Sequence, residues 1–209
     1  MTKRRYYRLA MCVGVIAVLG FCALAQEKNA SPELSVAGVK LGDRDSAKAF
    51  LAGYSPRKGE DGRAYYFFYN SYGTQVMKLT AASAEDQYFI TEIEVFVVGR
   101  SYQEKHYVAN DLGAFTTEGG IFIGQKASVS SVVFGVPNRI GPKDVVRKQG
   151  EPTKREKTGK DETIIYALAN MNLAGGEFDY YAGYEFSKNK LKKFILKISS
   201  AKTIEKKLM

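Results

Sequence analysis

Cysteine is almost missing from this chain. The 209 residues contain two, Cys12 and Cys22, both within the first 25 positions. The remainder has no disulfide, no thiol nucleophile and no thiolate metal ligand, so core packing alone must hold it together. Histidine occurs once, as His106. A zinc site takes three or four ligands, commonly several His or Cys, which excludes a conventional one here. A serine-histidine-acid triad would have to use His106 as base beside Asp111, and the Gly-x-Ser-x-Gly elbow is absent. His106 therefore reads as a loop residue between Val98 and Leu112. Tryptophan is absent, and the 14 Tyr and 12 Phe supply the aromatic content instead. Tyr and Phe favour strands, which tilts the composition toward sheet.

The first 25 residues set the compartment. Lys3, Arg4, Arg5 and Arg8 form a basic head, and residues 9–25 then run without a charge to Ala23-Leu24-Ala25. A positive n-region, a short apolar h-region and an A-x-A site are the pattern of a secretory signal peptide. The expectation is cleavage before Gln26 and export to the periplasm or outside the cell. A retained anchor is disfavoured because a span needs about 20 apolar residues and this run contains Gly14 and Gly20. Acylation of Cys22 as a lipoprotein is disfavoured by bulky Phe21 just before it. With the four basic leader residues set aside, 27 basic side chains face 22 acidic ones, a net charge of +5. That excess suits solubility or anionic partners. It is too weak, without Arg interleaved among stacking aromatics, for dedicated nucleic-acid binding.

Residues 26–36 are polar, include Pro32, and read as a tether. A first unit is expected over residues 37–115 and a second over 116–209. In the first, Asp43 or Asp45 can cap a helix start, and Ala47, Phe50 and Leu51 share a helical face. Gly53 and Pro56 end it. Strands follow at residues 64–69 and 75–80, with a turn at Asn70-Ser-Tyr-Gly73. Over residues 89–98, Phe89, Ile93, Val95 and Val97 alternate with Glu92 and Glu94, the pattern of a sheet with one wet face. The second unit opens with Gly120-Ile-Phe-Ile-Gly124 and an amphipathic run to Pro137, echoing the spacing of the first. Pro142 starts another short helix, which Gly150 stops. Strands are expected at residues 163–168, 177–186 and 191–199. Each unit thus reads as short helices packed on an antiparallel β-meander, an α+β fold in two tandem units.

Ile140-Gly-Pro-Lys-Asp-Val-Val-Arg-Lys-Gln-Gly-Glu-Pro152, then Tyr166 in a strand and Tyr184-Glu-Phe-Ser-Lys-Asn-Lys-Leu191, resembles the β-lactamase-inhibitor-protein-like superfamily. That group includes the small lipoprotein of the outer-membrane β-barrel assembly machine. The resemblance covers much of the second unit and little of the first. It implies two short helices on a small antiparallel sheet, possible tandem copies, and a role in binding other proteins or assembling envelopes. Its motifs mark packing and turns and carry no binding residue across, so it speaks to fold more than to function.

Other motifs dissolve on inspection. Ser55-Pro-Arg-Lys58 and Lys157-Thr-Gly159 match pieces of the penicillin-binding enzymes, but Ser-Asp-Asn is missing and Pro56 spoils the helix start that the serine needs. Asp43-Arg-Asp45 lacks the Gly and Glu of a calcium loop, where Lys48 and Tyr54 stand. The doublets Glu60-Asp61, Glu85-Asp86 and Asp161-Glu162 lie in turns, where adjacent acids do not form a glycosidase pair. Gly119-Gly-Ile-Phe-Ile-Gly124 lacks the spacing of a nucleotide loop. No cofactor is expected, and no enzyme.

The surface features left are aromatic and basic. Tyr65-Tyr-Phe-Phe-Tyr69 must put rings on both sides of a strand. Residues 143–160 hold seven Lys or Arg and residues 188–207 hold eight Lys. A partner-binding surface is expected from Tyr65, Tyr66, Tyr69, Lys143, Arg147, Lys154, Arg155, Lys190 and Lys192. The plain alternatives are aromatics covered by the sister unit, and lysines that solvate a face and guard sheet edges. The reading is an exported, non-catalytic module of the bacterial envelope that binds another protein. Its rival is an envelope structural or assembly factor that contacts anionic lipid or wall polymer through its lysines.

Overall fold

The computed structural model describes residues 32–69, 75–97, 115–123 and 140–200. The expected leader over residues 1–25, most of the tether, the turn at residues 70–73, His106 and the run over residues 128–137 lie outside the described residues. The elements in chain order are β1 (Ser35–Val36), β2 (Val39–Lys40), α1 (Arg44–Phe50), β3 (Arg57–Lys58), β4 (Ala64–Tyr69), β5 (Gln75–Ala81) and β6 (Ile90–Val97). There follow β7 (Phe115–Thr116), β8 (Phe122–Ile123), α2 (Pro142–Gln149), β9 (Lys154–Thr158), β10 (Asp161–Leu173), β11 (Gly176–Ser187) and β12 (Lys190–Ser200).

The helices form where local chemistry dictates. The Asp43 carboxylate accepts hydrogen bonds from the amides of Asp45 (3.0 Å) and Ser46 (3.2 Å), satisfying two otherwise orphaned donors at the start of α1. In α2, Pro142 opens the first turn and the Asp144 carboxylate accepts from the Gly141 amide at 3.1 Å. Gly150, at φ 79°, ends it. Ala47 and Val145 are the fully buried apolar residues of the two helices.

Eight strands make one antiparallel sheet in the order β3-β4-β5-β6-β12-β11-β10-β9. This overturns the expected α+β arrangement of two separate units, each with short helices on its own meander. Strand dominates the described residues, their two helices are each about two turns long, and β6 hydrogen-bonds to β12 so that a single sheet runs through both halves. The proposed boundary at residues 115 and 116 falls inside β7, which pairs with β8 and lies next to the bridge from Val36 to Thr117. The inner end of the supposed tether is also folded: Val36 is fully buried in β1, and Glu33 is 2% exposed.

Register explains the core. One row across the inner face runs Tyr66, Leu79, Ile93, Leu196, Ala182, Tyr166. Phe68, Met77, Val95, Phe194 and Tyr184 form the next, and burying each large apolar side chain contributes about 1.5–3 kcal/mol. Phe50 of α1 and Tyr54 meet Phe68 edge-on at 5.2 Å, and Tyr184 lies between Tyr166 (6.0 Å) and Phe194 (4.7 Å). A bulge in β10, at which Asn170 takes φ 54° and donates its amide to Asp179, restores the inward parity for Met171 and Leu173.

A buried polar node fastens the N-terminal segment. Oε1 of Glu33 accepts from Thr117 Oγ1 (2.7 Å) and Gln149 Nε2 (2.6 Å), and Oε2 accepts from the Gly119 amide (2.8 Å). The Glu33 carbonyl accepts from the Tyr180 hydroxyl at 2.7 Å. One carboxylate therefore ties three distant pieces of chain together.

Candidate functional site

The helices and the core cover one face of the sheet, and the other faces outward. Because side chains alternate, the outward row opposite the core is fixed by the same register. It runs Phe67, Lys78, Glu94, Ile195, Gly183, Ile165, Lys154 across seven strands. The adjacent row runs Tyr65, Thr80, Glu92, Lys197, Tyr181, Ala167.

Charges on this face are paired across strands. Glu94 sits between Lys193 (2.8 Å) and Lys78 (3.2 Å), one cation on each neighbouring strand, and Glu92 meets Lys197 at 3.5 Å. Burial alone raises the Glu94 carboxyl; the hydrogen bonds from Lys193 and then Lys78 outweigh it and hold the acid below its ordinary range. The bond to Glu94 correspondingly raises Lys193. Opposite charges facing one another on one side of an antiparallel pair favour that register. They fall at the junction of β6 and β12, where the two halves of the sheet join.

Rings flank the charges. The Lys78 ammonium lies 5.0 Å from the Tyr65 ring centre and the Arg57 guanidinium 5.6 Å from that of Phe67. Tyr65 donates its hydroxyl to Asp61; that bond raises the phenol and lowers the carboxyl. On the other side Tyr181 lies flat across Gly183: a Cβ there would stand 2.6 Å from the Tyr181 hydroxyl, so glycine gives the ring its seat.

The nine residues expected to form a partner surface are dispersed. Tyr65 is half-buried on the outward face, but Tyr66 points into the core at 3% exposure and Tyr69, on the outward register, is 9% exposed. Lys154 is on the outward side of β9 and pairs with Glu156 (2.5 Å), while Arg155 turns the other way and holds Glu162. Lys143 and Arg147 ride on α2, Arg147 against Asp144 at 2.9 Å, and Lys190 and Lys192 stand at the start of β12. The sequence reading missed Glu92, Glu94, Lys193 and Lys197 as a group. Their alternation with apolar residues was visible, but nothing local announces that two strands about a hundred residues apart lie side by side.

No group of three or more His, Cys, Asp or Glu able to hold a metal ion occurs among the described residues. A shallow depression beside α1, lined by Lys40, Asp43, Arg44, Lys48 and Leu173, has its principal cation, Arg44, already bound to Asp86 at 2.6 Å. No helix among the described residues is long and apolar enough to cross a membrane. No protein-family model, curated protein or solved structure matches the chain.

Proposed function

We propose that this chain is a non-catalytic protein-binding module of the bacterial envelope or its exterior, and that the outward sheet face is where it meets its partner. The observation that carries the reading is the charge ladder Lys78–Glu94–Lys193 with Glu92–Lys197, flanked by Tyr65, Phe67 and Tyr181. Tyr and Phe are enriched at protein interfaces whereas Lys and Glu are depleted, so the rings supply the contact area and the paired charges between them supply complementarity and register. Side chains already fixed by cross-strand pairs lose little rotamer freedom when a partner arrives, which removes part of the entropic cost of binding. The leader-like N-terminus supplies the compartment.

The test is capture from envelope extract with the full chain as bait. The expected result is one stoichiometric protein, retained by the parent and lost by Phe67→Ala and Tyr181→Ala variants whose thermal unfolding is unchanged. Capture that ignores both substitutions overturns the assignment of this face. A catalytic turnover abolished by His106→Ala overturns the non-catalytic reading altogether.

A further inference from the structure

A second surface differs from the sheet face in one respect: its cations are unpaired. The β9–β10 turn (residues 158–161) and the β11–β12 turn (residues 187–190) lie side by side, joined by the Lys188 amide donating to the Lys160 carbonyl at 2.8 Å. The start of α2 abuts them, with a Cβ on Gly141 placed 3.7 Å from the Asn189 carbonyl oxygen. This end of the sheet gathers Lys143, Lys157, Lys160, Lys188, Lys190 and Lys192. None has a carboxylate within ion-pair distance among the described residues, whereas Lys78, Lys154, Lys193 and Lys197 all have one. The nearby acids are occupied or outnumbered: Glu162 holds Arg155, Asp144 holds Arg147, Glu185 lies across from Lys193, and Asp161 alone stands at the turns themselves.

The backbone underlines the choice. The β11–β12 turn needs left-handed conformations at both central positions, and Lys188 (φ 51°) and Asn189 (φ 60°) adopt them. Asn is at ease there, but Lys is not a residue such turns select. A lysine held in an unfavourable conformation, beside others that repel it, runs against stability alone. Edge protection does not account for it either, because these lysines cluster at turn tips and a helix start, and only Lys157 lies on the edge strand.

We infer that this end of the sheet docks on an anionic phospholipid bilayer. The cations are all lysines, mobile point charges without the planar fork that chelates one phosphate. They come from three separate backbone segments, surround no cleft, and have no stacking aromatic among them. Such a set suits a plane carrying many mobile phosphates. Charge beyond roughly 8 Å of the plane is screened at physiological salt, so lysines gathered at one tip act together, which the same number spread over the molecule would not.

The test is vesicle co-sedimentation of the full chain with phosphatidylcholine alone and with about one-third phosphatidylglycerol added. The readout is the anionic preference of each variant relative to the parent, since the apolar run over residues 9–25 enters either vesicle and the basic head Lys3, Arg4, Arg5 and Arg8 adds the same anionic preference to every variant. Each lysine near an anionic surface is worth about fivefold in binding. Lys160→Gln with Lys188→Gln should therefore lower the anionic preference about 25-fold. Neither change removes a hydrogen bond, because the contact between the turns is backbone to backbone. Lys48→Gln on exposed α1, and the sheet-face variants Phe67→Ala and Tyr181→Ala, should leave the preference intact, which separates this surface from the protein-binding one. An anionic preference that the double substitution leaves at the parent's level overturns the inference. So does soluble inorganic polyphosphate that, at equal phosphate concentration, binds the chain as tightly as the vesicles.

Discussion

Replacing Glu33 should unfasten the N-terminal segment, and the geometry sets the size of the effect. Its carboxylate receives three donors, all at 2.8 Å or less, in a place 2% exposed to solvent. Glu33→Ala leaves the Thr117 hydroxyl, the Gly119 amide and the Gln149 carboxamide without their acceptor. A buried donor so stranded costs about 1–3 kcal/mol. Relaxation and entering water moderate the sum, and the expected loss is about 3–5 kcal/mol. Glu33→Gln is a finer probe. It keeps one oxygen to serve Thr117 and Gln149 but sets an NH2 against the Gly119 amide, donor to donor, for a loss of about 1–3 kcal/mol. Urea denaturation followed by circular dichroism reads both. With a slope of about 2–3 kcal/mol per molar, the alanine variant should unfold more than about 1 M earlier and the glutamine variant fall between it and the parent. An alanine variant within about 0.5 kcal/mol of the parent, or a glutamine variant worse than alanine, would refute the reasoning. Gly119→Ala should resemble Glu33→Ala, because its Cβ would collide with Glu33 Oε1 and push the carboxylate off its donors.

Three other outcomes are expected. The Tyr184 hydroxyl is buried without a hydrogen-bond partner among the described residues, so Tyr184→Phe should stabilise the fold by about 1 kcal/mol in the same urea assay. The lowered Glu94 carboxyl binds its proton less readily folded than unfolded, so its contribution is present above the ordinary carboxyl range and fades as pH falls through the folded value. Glu94→Gln should flatten that part of the stability curve below about pH 4.5. Burial first, then Glu151, pushes the Tyr166 phenol up to about 12, against 10.0 unperturbed. The unfolded chain then loses its proton first, stability should decline as pH rises from 10 to about 12, and Tyr166→Phe should lessen the decline in alkaline unfolding scans.

Local elements were legible where chemistry is local. Asp43 as a cap, Pro142 and Gly150 as the ends of a helix, and the alternation around Ile93 and Val95 each needed only neighbours in sequence. Strand β9 went unread because Lys-Arg-Glu-Lys-Thr has no apolar member, and an edge strand exposed along its whole length offers no alternation to find. The far half of β10 went unread because the bulge at Asn170 breaks its period. The junction of β6 with β12 decides between two small units and one sheet, and it depends on contacts that no window of sequence contains. The candidate site was hidden for the same reason: half of its charge ladder comes from each side of that junction. The aromatic run was half-read, since parity sends Tyr65 out and Tyr66 in, and only the location of the core says which.

The last of the described strands, β12, occupies the middle of the sheet. A nascent chain can finish the hairpins from β3 to β6 and from β9 to β11 before β12 has left the ribosome. Until β12 emerges, β6 and β11 each present an unsatisfied edge, open to any extended segment that passes. Closure then joins Glu92 to Lys197 across a loop of about a hundred residues, the slowest kind of step a β-protein takes. Loss of the last dozen described residues would therefore split the molecule down its centre, whereas a trim at β9 would only narrow one margin.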